Sequence, residues 1–157
     1  MAFDFPNSPT NGQTYTPAGG PTYTYVSADT KWTVSSISAT IPITTGVYTP
    51  THYLGTNMAA STSYQAVYTR IADRVIVSGL ADIDPTTSPA ATTLGISLPV
   101  ASDLASQHDC TGTFGASAFS ENGSITGDVT NNNALFNFLS TTANNHQVGF
   151  VFQYRVL

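Results

Sequence analysis

Large apolar side chains alternate with other residues along the last stretch of the chain, QVGFVFQYRV at Gln147–Val156. An extended backbone points successive side chains to opposite sides, so the alternation places five of them on one face: Val148, Phe150, Phe152, Tyr154 and Val156. A helix would distribute the same side chains around its axis. The pattern therefore predicts a β-strand with one face turned toward a core.

The same alternation recurs in shorter stretches bounded by Gly, Pro, Asn and Asp, which favour turns. TYTYV at Thr22–Val26 and KWTVSSI at Lys31–Ile37 are separated by SADT and predict one hairpin. YQAVYTRIA at Tyr64–Ala72 and RVIVSGLADI at Arg74–Ile83 predict a second hairpin. Further strands are predicted at Thr92–Leu98, Cys110–Phe119, Gly123–Val129, Ala134–Leu139 and Gln147–Val156.

The low charge of the chain supports the same fold class. Only 8% of the 157 residues are charged, whereas Thr and aromatic residues are frequent, and these pack well on a pleated sheet. Regularly spaced short strands predict an all-β protein, an antiparallel β-sandwich of jelly-roll type preceded by an extended N-terminal arm with a β-hairpin. We expect residues 1–35 to form the docking arm and hairpin, 36–47 an extended connector, and 48–157 the sandwich domain.

The charge pattern excludes several kinds of partner. Lys31, Arg70, Arg74 and Arg155 are isolated, and the net charge is −5. Nucleic-acid binding needs clustered basic side chains, so we expect no nucleic-acid partner. No stretch is apolar enough to cross a bilayer and none resembles a basic amphipathic helix, so we expect no membrane anchoring. Cys110 has no second cysteine to pair with and is expected to be a buried, inert thiol.

Two clusters suggest catalysis, but neither fits it well. Ser106–Cys110 contains Ser, His, Asp and Cys, yet neighbours along a strand point to opposite faces, whereas a triad needs three side chains at hydrogen-bonding distance. Asp82 and Asp84 lie two residues apart and lead into DPTT, which is typical of a strand end entering a turn. A calcium ion bound by this pair and loop carbonyls is the alternative. We expect no enzyme, no catalytic residue and no cofactor.

The histidines give no metal-binding pattern. His52, His108 and His146 lack a paired spacing, so we expect isolated polar or interface residues and no metal site. A ring of one His from each subunit on a symmetry axis is the alternative. NGS at Asn122–Ser124 matches a glycosylation acceptor and is interpreted as a turn.

Two stretches carry a resemblance to phage proteins. FDFPNSPTNGQTYT, TYTY and KWTV, in that order within residues 3–34, resemble an N-terminal segment of tailed-bacteriophage virion proteins, especially fibre and tail-associated ones. YTRIADRVIVSGLADIDPTTSPAATTLGISLPVASDL, with DCTGT and the terminal FVFQYRVL, resembles a β-rich module that ends a set of phage structural proteins. Such modules often place a Gly-Asn-like pair after YTR, whereas Ala72 and Asp73 stand here, so a different turn type or a bulge is expected.

The resemblance implies a non-enzymatic structural protein on the exterior of a phage particle, made in the cytoplasm of the bacterial host. We expect a short decoration or head-fibre protein, because no heptads or repeats provide a long shaft. The alternative is a tail-fibre or tail-associated protein whose β-domain binds a bacterial surface glycan. Low charge predicts a homo-oligomer, most simply a trimer.

The opening stretch supplies the expected contacts to another virion protein of the capsid or tail. It lacks the basic and apolar regions of a secretory signal, so we expect it to belong to the mature protein. The expected anchors are Phe3, Phe5, Pro6, Tyr15 and Trp32. The alternative is an arm packed on its own domain. Tyr48 and Tyr53 are the candidates for stacking on sugar rings.

Overall fold

The computed structural model describes residues 4–36, 41–118 and 120–157. In these ranges the chain forms antiparallel strands and one short 3-10 helix, which confirms the prediction of an all-β protein. None of the described residues belongs to a helix long and apolar enough to span a bilayer. The chain divides into two compact units, Met1–Ile41 and Pro42–Leu157.

The N-terminal unit contains a small antiparallel sheet of order β1-β2-β3. Its strands are β1 (Thr14–Tyr15), β2 (Thr22–Val26) and β3 (Lys31–Ser36). β2 and β3 form the predicted hairpin, with Tyr25 opposite Trp32; Ile37, its expected end, lies outside the described residues. β1 pairs with β2 as a third strand, with Tyr15 opposite Tyr23. The arm that was expected to be extended is therefore part of a sheet from β1 onward.

The C-terminal unit, the β-domain, is a ten-stranded antiparallel sheet. Its strands are β4 (Ile43–Tyr48), β5 (His52–Leu54), β6 (Met58–Ser63), β7 (Ala66–Ile71), β8 (Arg74–Pro85), β9 (Ala90–Ile96), β10 (Cys110–Ala116), β11 (Asn122–Asp128), β12 (Asn133–Ser140) and β13 (His146–Arg155). The 3-10 helix spans Gln107–Asp109. Neighbours follow the order β4-β7-β8-β13-β10-β11-β12-β9-β5, and β6 pairs with β8. The jelly-roll connectivity stays a prediction.

The sheet curls until β5 and β6 lie side by side. The twelve-residue β8 allows this, because it pairs with β7 over residues 74–78, with β6 over residues 81–85, and with β13 along its other edge. His52 Nδ1 on β5 lies 2.6 Å from Ser61 Oγ on β6. We call this junction the β5–β6 seam.

The core lies inside the curl and is formed by alternate residues of the central strands. Four of the five side chains predicted on the apolar face of the last strand are buried, and Val156, just beyond β13, is half-buried. The Phe136 ring lies 4.9 Å from that of Phe114 and 5.5 Å from that of Phe150, measured between centroids. Gly79 lies opposite Phe150, and a Cβ there would stand 2.8 Å from the ring. The glycine therefore leaves the space that this ring occupies.

The boundary of the β-domain lies earlier than the sequence suggested. The connector expected over residues 36–47 ends sooner, because Ile43–Tyr48 forms β4 and pairs with β7. Gly46 suggested a linker, but it lies opposite Tyr68, where a Cβ would stand 2.7 Å from the ring. The domain therefore begins at residue 42 rather than at residue 48.

A two-residue turn joins β7 to β8. Ile71 pairs with Arg74, so Ala72 and Asp73 form a two-residue turn. Ala72 has a φ of +54°, while Asp73 does not have a positive φ. Positive φ at the first central residue alone is what a type II′ turn requires. The turn therefore fits type II′, and the pairing of β7 with β8 contains no bulge.

Candidate functional site

Five aromatic side chains of the N-terminal unit pack against one another: Phe5, Tyr15, Tyr23, Tyr25 and Trp32. We call them the aromatic cluster. The Phe5 ring stacks on Trp32 at a centroid distance of 5.2 Å and meets Tyr15 and Tyr23 edge-on at 5.4 and 5.0 Å. The structure therefore brings together three of the predicted anchors and adds Tyr23 and Tyr25. The alternation in TYTY could have identified these two, because it places them on one face of β2.

The cluster lies on the surface of its unit rather than in a closed core. All five rings are half-buried, and among the described residues of this unit only Pro17 is buried. Pro6 is half-buried as well, and Phe3 lies outside the described residues. A sheet this small buries too little apolar area to be stable by itself. A second surface that covers the cluster would therefore stabilise the unit.

The two tyrosines proposed for sugar stacking lie in different environments. The Tyr48 hydroxyl donates a 3.2 Å hydrogen bond to the Ser97 carbonyl, and its ring packs edge-on against Tyr68 at 6.2 Å. Burial raises the pKa of Tyr48 above its ordinary value. Tyr53 on β5 is 50% exposed. Tyr53 is therefore free to stack on a ligand, whereas Tyr48 is held in the domain's packing.

Tyr53 lines a groove of about 430 Å³ on the outer side of the sheet, which we call the Tyr53 groove. Tyr53 on β5, Gly95 on β9 and Leu135 on β12 are direct partners in register, so they form one row across three strands. A Cβ on Gly95 would stand 3.1 Å from Asn133 Nδ2 and 3.3 Å from Tyr53 Cβ. The missing side chain at Gly95 therefore makes the floor of the groove.

Polar side chains form the other wall of the groove. Asp128 and Asn133 are register partners on β11 and β12. Asp128 accepts hydrogen bonds from the side-chain and backbone nitrogens of Asn131, at 2.7 and 3.2 Å, and from the backbone nitrogen of Thr130 at 3.0 Å. The Asn131 side chain above all lowers the pKa of Asp128. Asn133 is 3% exposed, and within the described ranges its Oδ1 has no hydrogen-bond partner.

Ser106–Cys110 is a helix cap rather than a nucleophilic site. Ser106 Oγ accepts from His108 N at 3.2 Å, and Asp109 Oδ2 accepts from Ser106 N at 2.7 Å, which is a capping box. Cys110 is fully buried, and burial raises the pKa of its thiol to about 12. In the part of the chain that the structure describes, no hydrogen bond joins this thiol to a base.

The other polar candidates also have local roles. Asp82 Oδ2 accepts from the Tyr64 hydroxyl at 3.1 Å, and both Asp82 and Asp84 are half-buried on β8. His52 lies in the β5–β6 seam, while His108 is exposed beside the 3-10 helix cap. Across the described ranges, no group of three or more His, Cys, Asp or Glu residues could hold a metal ion.

Sequence reasoning missed one buried pair. His146 Nε2 on β13 lies 3.2 Å from Glu121 Oε2, just before β11. No spacing or motif in the sequence links the two residues. Both side chains are buried, so the contact links the start of β13 to the residue before β11 away from solvent.

In comparisons with known proteins, the chain matches no protein-family model, no curated protein and no solved structure. The aromatic cluster and the Tyr53 groove are therefore the two features from which a function can be inferred.

Proposed function

We propose that the protein is a non-enzymatic structural protein of a bacteriophage particle, a short projecting decoration or head-fibre protein attached through its N-terminal unit. The N-terminal unit docks on a capsid or tail protein, and the β-domain projects from the exterior of the virion. One observation carries this: five aromatic rings form a cluster in a unit whose only buried described residue is Pro17. The resemblance of the FDFPNSPT and KWTV segments to phage virion proteins indicates the kind of partner.

Covering the cluster supplies free energy for docking. A large apolar side chain contributes about 1.5–3 kcal/mol when it passes from full exposure to full burial, and each half-buried ring retains part of this. Trp and Tyr are also enriched among the residues that dominate protein interfaces. The stacking of Phe5 on Trp32 fixes both rings before docking, so less conformational entropy is lost on binding.

We further propose that the β-domain forms a homotrimer through its outer face. Four apolar side chains on β7, β8 and β13 are 39–52% exposed there: Val67, Ile76, Leu80 and Val151. Val67 and Val151 both lie opposite Ser78, so the surface is continuous across three strands and carries no charge at its centre. A notch of about 390 Å³ lies between Ile76 and Val151, beside Gly112. An exposed apolar surface without charge is typical of an interface. Because only 8% of the residues are charged, another copy of the same chain is the partner that suits this surface.

Incorporation into phage particles tests the docking role. The double variant Phe5→Ala and Trp32→Ala removes the stacked pair, so particles assembled with it should lack the protein. The melting temperature of the β-domain should not change, because the cluster belongs to the other unit. Val129→Ala, an exposed apolar residue of the β-domain, is the matched control and should be incorporated normally. Normal incorporation of the double variant would contradict the docking role, and an early loss of domain stability would favour an arm packed on its own domain.

A second function is favoured by one observation, the exposure of Tyr53 beside polar side chains. In a tail-fibre or tail-associated protein, this part of the β-domain would bind a bacterial surface glycan. Binding of glycan and attachment to the particle involve different units, so both functions can belong to one protein.

A further inference from the structure

We propose that the Tyr53 groove binds a neutral saccharide by stacking on Tyr53 and by hydrogen bonds to Asn133 and Asp128. This inference rests on the second function above, glycan binding by the β-domain, and gives it a site and a ligand class. The site lies on β5, β9, β11 and β12, and it uses no residue of the N-terminal unit.

The groove offers an apolar surface of the right kind for a sugar ring. Tyr53 is half exposed, Leu135 lies in the same row, and Gly95 between them has no side chain. A pyranose presents C–H groups on its faces, which pack on aromatic and aliphatic surfaces, and hydroxyl groups around its edge. The volume of about 430 Å³ lies within the range of small-molecule sites.

Asn133 supplies a polar group that has no partner in the described part of the chain. Its amide lies over Gly95, with Nδ2 3.1 Å from the position of a Cβ, and its buried Oδ1 has no hydrogen-bond partner there. A buried amide oxygen without a partner is costly, so a hydroxyl group that reaches it gains a favourable contact. Rotation of the amide lets Asn133 present a donor or an acceptor, and a sugar hydroxyl can pair with either.

Asp128 adds a carboxylate and decides the charge of the ligand. Its hydrogen bonds with Asn131 and Thr130 hold it in place, and each carboxylate oxygen can accept more than one donor. No Lys, Arg or His among the described residues lines the groove. An acidic sugar would meet this carboxylate without a compensating cation, so a neutral saccharide is favoured. A calcium ion needs six to eight oxygen ligands, which one carboxylate and two amides do not supply.

Saturation-transfer NMR on the full chain tests the proposal. The neutral probes are glucose, galactose, mannose, rhamnose and N-acetylglucosamine, and glucuronate is the acidic probe. At least one neutral probe should bind, and glucuronate should bind more weakly than glucose. Tyr53→Ala should weaken binding about tenfold, whereas Tyr53→Phe keeps the ring and should bind like the wild type. Asp128→Asn keeps the acceptor for the backbone hydrogen bonds and should narrow the preference for glucose over glucuronate.

Three results would overturn the proposal: no binding of any neutral probe at about 50 mM, equal binding by the wild type and Tyr53→Ala, or tighter binding of glucuronate. The melting temperature of each variant checks that it is folded, and Tyr53 is exposed enough to be replaced without loss of the core. The Phe5→Ala and Trp32→Ala double variant should bind sugar normally. Failure of sugar binding therefore leaves the docking role intact, and failure of docking leaves the groove intact.

Discussion

His146 and Glu121 form a contact that solvent barely reaches: Nε2 lies 3.2 Å from Oε2, and the side chains are 2% and 0% exposed. Glu121 also accepts hydrogen bonds from the backbone nitrogen and hydroxyl of Thr141, at 3.1 and 3.0 Å. The other ring nitrogen of His146 lies 2.7 Å from the Asn144 carbonyl oxygen and carries a hydrogen, because a carbonyl only accepts. The pair therefore connects the start of β11 to the turn before β13.

Glu121→Gln should destabilise the β-domain by about 2 kcal/mol, because it replaces a buried carboxylate that contacts His146 and accepts two hydrogen bonds from Thr141. The exposed pair of Asp73 and Arg155, with a distance of 2.9 Å, provides the matched control. Asp73→Asn should change the free energy of unfolding by less than about 0.5 kcal/mol. Urea unfolding near neutral pH measures both variants. Equal losses would contradict a structural role for the buried pair.

Acid should weaken the β5–β6 seam through His52. Ser61 Oγ donates to the Asp82 carbonyl oxygen at 2.6 Å, so it accepts from His52, and Nδ1 carries the ring hydrogen. Nε2 is buried and has no hydrogen-bond partner in the described ranges. Protonation would create an unpaired charged N–H group there. Burial accordingly lowers the pKa of His52 below its ordinary 6.5.

Because the pKa of His52 is lower in the folded chain, the unfolded chain binds this proton first as the pH falls. Stability should therefore decrease below about pH 6.5, until the folded pKa is reached. Thermal unfolding at about pH 7.5 and 5.5 measures this loss of stability, which should be smaller in His52→Gln than in the wild type. His108→Gln, at an exposed histidine, should retain the full loss. An undiminished loss in His52→Gln would show that another group is responsible.

Alkaline pH should destabilise the β-domain through Cys110. Burial raises the pKa of this thiol from 9.0 to about 12, so between these values the unfolded chain releases a proton that the folded chain keeps. Within this range, each rise of one pH unit lowers the free energy of unfolding by about 1.4 kcal/mol for one such group. Cys110→Ala removes this titration. Between about pH 8 and 10, the free energy of unfolding of the variant should therefore fall by about 1 kcal/mol less than that of the wild type. Burial also raises the pKa of Tyr154 to about 12. This tyrosine is present in both proteins, so its contribution does not affect the difference between them. Denaturant unfolding at each pH measures this difference. Equal losses of unfolding free energy in the wild type and in Cys110→Ala would show that the Cys110 thiol is not responsible.

A fragment of residues 42–157 should fold by itself, with cooperative thermal unfolding and a β-type circular dichroism spectrum. A fragment of residues 49–157 lacks β4 and leaves the edge of β7 unpaired. It should be less stable and more prone to aggregate, because unpaired edges pair with other chains. Equal stability of the two fragments would place the boundary at residue 48 after all.

Val151→Lys should prevent self-association of the β-domain, because it places a charge at the centre of the outer face. Leu139→Lys introduces the same charge at a residue of β12 that is 62% exposed, and should leave the oligomer intact. Sedimentation at micromolar concentration distinguishes trimer from monomer. A monomeric wild type, or dissociation by both variants alike, would contradict association through this face.

Alternation of side chains along the sequence predicted the strands that carry their own apolar face. β2, β3 and β13 could be recognised because apolar and polar side chains alternate along them. β4 could not, because Gly46 and the flanking prolines resemble a linker, and it becomes a strand only through pairing with β7. The burial of Tyr48 likewise depends on Ser97, which is distant in sequence.

The residues of the aromatic cluster could be predicted from the local sequence, whereas the polar residues of the Tyr53 groove could not. Phe5, Tyr15 and Trp32 could be selected because large rings are unexpected in a polar opening stretch. Asn133 and Asp128 gave no local signal, because each is one of many polar residues near a turn. Register between β11 and β12 brings them to the same groove, and register depends on the whole sheet.

The position of β13 has a consequence for biosynthesis. It is the last strand along the chain, yet it lies between β8 and β10 and provides Phe150 and Phe152 to the core. Until this strand has left the ribosome, no strand connects β8 to β10, and the apolar faces of these two strands lack the cover that Phe150 and Phe152 provide. The nascent domain therefore cannot fold strand by strand. It folds after translation of residue 155, and the growing chain is meanwhile a target for chaperones.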